Sequence, residues 1–128
     1  DAEKEEITHL IEENKPVLDK LKEALGDKVS EVTLTGRLKS HPCCLSAKGM
    51  VSLEMEKLAN RQPGSPELHA ERVLELNASH PVFEKIKSVD DEKVKKFAEV
   101  LYTQALLIEG MPVEDPVAYA NAVCDLIV

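Results

Sequence analysis

The sequence predicts an α+β domain: a small sheet of about three short strands with flanking helices, closed by a two-helix antiparallel hairpin. Two observations carry that prediction. The apolar period changes from about four to two at "VSEVTLTGRL" and returns to helical spacing afterwards. The last forty residues hold two long apolar segments separated by a short break that begins with glycine.

The chain has 128 residues, enough for one core. Apolar residues make up 43% and charged residues 31%, ordinary values for a globular domain. Only Phe83, Phe97, Tyr102 and Tyr119 are aromatic, so the core is expected to consist of Leu, Val, Ile and Ala. A net charge of −8 argues against nucleic acid and against an anionic membrane surface, since there is no cation excess to neutralise phosphates. No apolar run is long enough to span a bilayer. Cys43, Cys44 and Cys124 are odd in number and do not form a disulfide framework, which suits a reducing, cytoplasmic setting. The chain opens on Asp1 within a charged turn and is expected to be a piece of a longer protein.

Taken in order, Ile7, Leu10 and Ile11 give a helix over about 3–13. A second helix starts at Pro16, which suits a first helical position, and its stripe is Leu18, Leu21 and Leu25 before Gly26 stops it. Val32 and Leu34 alternate with polar neighbours as a half-buried strand, and "PCCLSA" (42–47) is a second strand. A helix follows over about 50–61, ended by "QPGSP" (62–66). "RVLELN" (72–77) fits a strand or a helical turn, and its length and polar flanks favour the strand. "HPVFEKIKS" is a short helix with Phe83 and Ile86 inward. Two helices over about 91–109 and 116–128 close the chain, the second capped by Asp115 with Pro116 in its first position.

The helix over 50–61 is apolar on two sides. At about 100° per residue, Val51, Met55 and Leu58 share a stripe roughly 60° wide, while Leu53 lies nearly opposite. A helix packed on one core needs a single stripe. Leu53 is therefore the expected anchor and the Val51, Met55 and Leu58 stripe is expected to face outward.

The last helix is apolar nearly all round, from Val117 to Val128, with Asp125 its only charge. Two readings fit: burial within its own domain, or packing against the same hairpin of a second chain to form a four-helix bundle across a dimer.

Catalytic and metal chemistry find no footing. His41, Cys43 and Cys44 lack metal-ligand spacing, and adjacent strand residues point to opposite faces. His9, His69 and His80 are scattered. There is no nucleophile elbow, phosphate loop, dinucleotide loop or zinc-protease motif. The carboxylates are expected on solvated helix faces, as in "DDEKVKK" (90–96). No catalytic, cofactor-binding or metal residues are assigned.

Four stretches, "GRLKSHPCCLSA", "SLEMEKLANRQ", "RVLELNASHPVFEKI" and "LYTQALLIEGMPVEDPVAYANAV", resemble the C-terminal dimerisation domain of the ninety-kilodalton heat-shock chaperone family. They stand in family order over roughly 36–123, and "KPVLDKLKEALGDKVSEVTLT" extends the match upstream. The run "ALLIEG…EDP…AN" is the most specific. The resemblance implies a stress-response protein-folding chaperone of bacterial type, with ATP and Mg handled by an N-terminal domain and no cofactor in this piece. It divides the chain into a helical end of the connection to a middle domain (1–15) and the dimerisation domain (16–128).

It also makes the final hairpin a homodimer interface, for which the apolar candidates are Leu101, Ala105, Leu106, Ile108, Val117, Ala120, Val123, Cys124 and Ile127. The implied client contact, for unfolded or partly folded proteins, falls on Val51, Met55, Leu58 and Ala59, where the family often has a larger residue than Ala59. Because the chain stops at "CDLIV", without the acidic tail of eukaryotic cytosolic members, no tetratricopeptide-repeat co-chaperone is expected. The alternative function is a dimeric adaptor or regulatory domain that docks one specific protein.

Overall fold

A computed structural model of the chain describes residues 2–36, 40–62, 64 and 70–127. The element order is α1 (Ala2–Glu13), α2 (Lys15–Leu25), β1 (Glu31–Thr35), β2 (Cys43–Lys48), α3 (Leu53–Arg61), β3 (Glu71–Asn77), α4 (Pro81–Ser88), α5 (Asp91–Glu109) and α6 (Pro116–Ile127). This is the α+β arrangement expected, with "RVLELN" settled as a strand. His69 and most of "QPGSP" lie outside the described residues.

The three strands form one sheet in the order β1-β3-β2, with β3 parallel to β1 and antiparallel to β2. Register explains the core. Val32 pairs with Leu74 and Leu34 with Leu76, while Leu45 and Cys43 meet the same two leucines from the other side. Side chains alternate along a strand, so these six share one face, and all six are buried. Helices α2 and α5 cover that face: α2 contacts β1, α5 contacts β2, and the two helices contact each other. Their contributions are the stripes Leu18, Leu21, Leu25 and Val94, Ala98, Leu101, Ala105. Burying a leucine this way contributes about 1.5–3 kcal/mol relative to leaving it exposed.

Local signals set the boundaries. Asn14 joins α1 to α2, its Nδ2 donating to the Leu10 carbonyl at 2.9 Å. Asp90 caps α5 by accepting from the Lys93 N–H at 2.9 Å. Gly110 ends it in the left-handed region at φ +74°, which a side chain would strain. There the Gly110 N–H donates to the Leu107 carbonyl at 3.1 Å, and the Met111 N–H to the Leu106 carbonyl at 2.8 Å. This pair of bonds is a Schellman cap, completed by burial of Met111. Asp115 caps α6 as expected, its Oδ1 accepting from the Ala118 N–H at 3.0 Å. Lys96, early in α5, meets Asp125, late in α6, at 2.9 Å, which fixes the hairpin as antiparallel.

One boundary differs. Helix α3 begins at Leu53, not near residue 50, because the Ser52 hydroxyl accepts from the Met55 N–H at 3.1 Å and caps the helix there. Met50 and Val51 therefore precede the helix. Val51 packs half-buried against the core and does not extend an outward stripe.

Candidate functional site

Helix α3 is held to the domain by one apolar and two charged side chains, Leu53, Glu56 and Lys57. Leu53 is buried, as its opposed position on the helix suggests. Three residues on, Glu56 lies on the same inward side and is only 1% exposed, against the expectation that the carboxylates are solvated. Its Oε1 accepts from the Ala70 N–H at 3.0 Å, and its Oε2 pairs with Arg72 Nη2 at 2.7 Å. Arg72 Nη1 in turn donates to the Tyr102 hydroxyl on α5. Lys57 adds a second tie to α5, donating to the Glu109 carbonyl at 2.7 Å near the negative end of that helix.

The electrostatics follow from burial. Desolvation works against the Arg72 charge, but the hydrogen bond to Glu56 and the neighbouring Tyr102 hold its pKa above the ordinary value. Burial pushes the Tyr102 hydroxyl up, partly offset by Arg72. Both shifts preserve an arginine cation beside a neutral phenol.

This anchorage decides what α3 shows to solvent. Met55 is 49% and Leu58 57% exposed, Ala59 is half-buried, and Val51 lies outside the helix. A cavity of about 340 Å³ opens between α3 and the loop after α5, lined by Glu56, Lys57, Arg61, Arg72, Met111 and Pro112 among others. Two of its cations, Lys57 and Arg72, are already engaged by the groups above.

The hairpin has its own division of faces. On α6, Ala122 is buried and Tyr119, Val123 and Leu126 are half-buried, forming the side that rests on α5. Val117, Ala120, Cys124 and Ile127 recur at spacings of three, four and three and are all exposed, Val117 at 69% and Ile127 at 78%. At about 100° per residue they fall within a band roughly 80° wide. Ile108 and its neighbour Leu107 are also exposed at the end of α5. Leu101, Ala105 and Leu106 are buried in the protomer's own core.

Other residues with chemical potential are dispersed. The buried Cys43 thiol donates to the Leu101 carbonyl at 3.1 Å, and burial, with Cys44 adding to it, pushes its pKa up to about 12. Cys44 lies 4.0 Å from Glu75 Oε2. His80 caps α4, its Nδ1 accepting from the Val82 N–H at 3.1 Å. Among the described residues no three His, Cys, Asp or Glu side chains gather as metal ligands, and no helix is long and apolar enough to cross a membrane.

The charged anchor generates a prediction. Arg72→Met leaves the Glu56 carboxylate buried without its cation and should destabilise the domain by about 3–5 kcal/mol in urea denaturation. Adding Glu56→Gln, which keeps an acceptor for Ala70, should recover part of that loss. A double variant as unstable as the sum of the two single variants would contradict the pairing.

The sequence model of the family described as "Hsp90 protein" matches residues 1–128. Proteins named "Chaperone protein HtpG" are similar to the chain. That of Clostridium acetobutylicum is 47% identical over 98% of this chain and 21% of its own length. Those of Oceanobacillus iheyensis and Bacillus subtilis are 44% and 45% identical over 98% and 89% of the chain, and over 21% and 19% of their own lengths. The chain thus spans about a fifth of the length of the curated relatives it matches. A match over every position, strands and closing hairpin alike, places it: the chain belongs to the Hsp90 family.

Proposed function

We propose that this chain is the dimerisation domain of an ATP-dependent, HtpG-like chaperone, and that α3 offers an apolar contact to unfolded client proteins. The observation that carries the first half is the two-sided α6. One side packs on α5, and the other presents Val117, Ala120, Cys124 and Ile127 to solvent in heptad-like spacing. A helix with a second apolar seam buries it against another helix, and a two-fold pairing of hairpins is the simplest closed arrangement. Ile108 extends the seam onto α5, and the half-buried Val123 borders it. Leu101, Ala105 and Leu106 support the interface from beneath, as the packing on which the hairpin rests.

The client reading rests on Met55 and Leu58, held outward by the Glu56 and Leu53 anchors. Methionine suits a surface that meets varied apolar partners, because its side chain is flexible and polarisable. In this reading nucleotide is bound and hydrolysed by parts of the parent that the chain does not span.

Two measurements test the pair of claims. By light scattering at micromolar concentration the chain should be a dimer, and Ile127→Asp should raise the dimer dissociation constant at least about 100-fold, since it buries a carboxylate in the seam. A wild-type monomer at that concentration contradicts the interface. Met55→Glu places the preferred residue for a capping box at the third position of α3, so folding and dimerisation should be unchanged. Its binding to a permanently unfolded model protein should fall about tenfold, the effect of replacing one buried apolar side chain by a charge. Unchanged binding contradicts the client contact.

A further inference from the structure

The fold separates the three methionines of the chain. Met111 is buried beneath the Schellman cap of α5. Met50 is 95% exposed between β2 and α3, and Met55 stands half-exposed in the first turn of α3. Met55 also has a polar task. Its Sδ accepts from the Ser52 N–H at 3.5 Å, while the Ser52 hydroxyl accepts from the Met55 N–H. These reciprocal bonds form a capping box with sulfur in the place usually held by a Glu or Gln oxygen.

A thioether is a weak acceptor. Oxidation adds to that same sulfur an oxygen that accepts strongly, and a rotation of the flexible side chain brings it to hydrogen-bond distance of the same N–H. The change that makes the side chain polar therefore leaves the helix start satisfied.

We infer that Met55, with Met50 just ahead of the cap, is a reversible peroxide-oxidation site that turns the outward face of α3 from apolar to polar without unfolding it. The sulfur lone pair attacks one oxygen of hydrogen peroxide, forming the S–O bond as the O–O bond breaks. The departing hydroxide takes the proton of the transferred hydroxyl and leaves as water. Sulfur loses two electrons and peroxide gains them; methionine sulfoxide reductases restore the thioether by a separate step, in which two thiols supply two electrons and two protons, become a disulfide, and the oxygen leaves as water. The effect on client contact rests on the reading of α3 above; the site itself does not.

The test treats the 128-residue chain with hydrogen peroxide and maps oxygen incorporation by peptide mass. Met50 and Met55 should be oxidised well before Met111, with amide exchange across α3 unchanged. Binding to a permanently unfolded model protein should weaken about tenfold and return after sulfoxide reductase treatment. A Met50→Leu/Met55→Leu variant should bind equally well before and after peroxide. Oxidation of Met111 as fast as Met55, or faster exchange in α3 on oxidation, overturns the site. Equal weakening of the leucine variant overturns the switch. An untreated chain that fails to bind the unfolded protein overturns the client reading and the switch with it, while mass and exchange still decide the site.

Discussion

A carboxylate held away from water must be paired, and in this domain that requirement fixes the helix on which the proposed client contact depends. Glu56 is satisfied by the Ala70 N–H and by Arg72, and Arg72 is satisfied in turn by Tyr102. The chain of bonds runs from α3 through β3 to α5. Its value lies less in net stability, since a buried ion pair repays little more than its desolvation, than in direction. A short helix anchored only by Leu53 could roll about that contact. The Ala70 and Arg72 bonds to the two Glu56 oxygens hold the helix in the orientation that leaves Met55 and Leu58 outward.

Helix α5 links this anchor to the hairpin. Its N-terminal and middle turns pack on the sheet and on α2, Tyr102 receives Arg72, and its last turn accepts Lys57. The same helix supports α6, so one rigid element serves both proposed surfaces. In isolation, the seam of Val117, Ala120, Cys124 and Ile127 would be an exposed patch of the kind that marks an interaction site on a soluble protein.

Much of this was legible in the sequence where a backbone device marks a boundary. Gly26, Gly110 and the Asp115-Pro116 pair mark their helix ends, and period-two patterning marks β1. The start of α3 was missed because apolar periodicity at Met50 and Val51 competes with a capping serine at 52, and the cap decides. Glu56 was missed because a glutamate in a charged helix reads as solvated. A signal existed: Arg72 shares its strand parity with Leu74 and Leu76, so it faces the core side and demands an anion. Composition also could not partition the hairpin. Leu101, Ala105 and Leu106 are as apolar as Ile108 and Ile127, yet only the packing of α5 on the sheet reveals that the first three are buried within the single protomer.

In the proposed dimer, the outer seam of α6 is covered by a second copy of the chain. Cys124 sits within that seam and is exposed in the single protomer, so its alkylation rate reports coverage directly. In a Cys44→Ser background the rate should fall as chain concentration rises through the micromolar range and level off once the dimer is saturated. A fast rate independent of concentration would contradict the account.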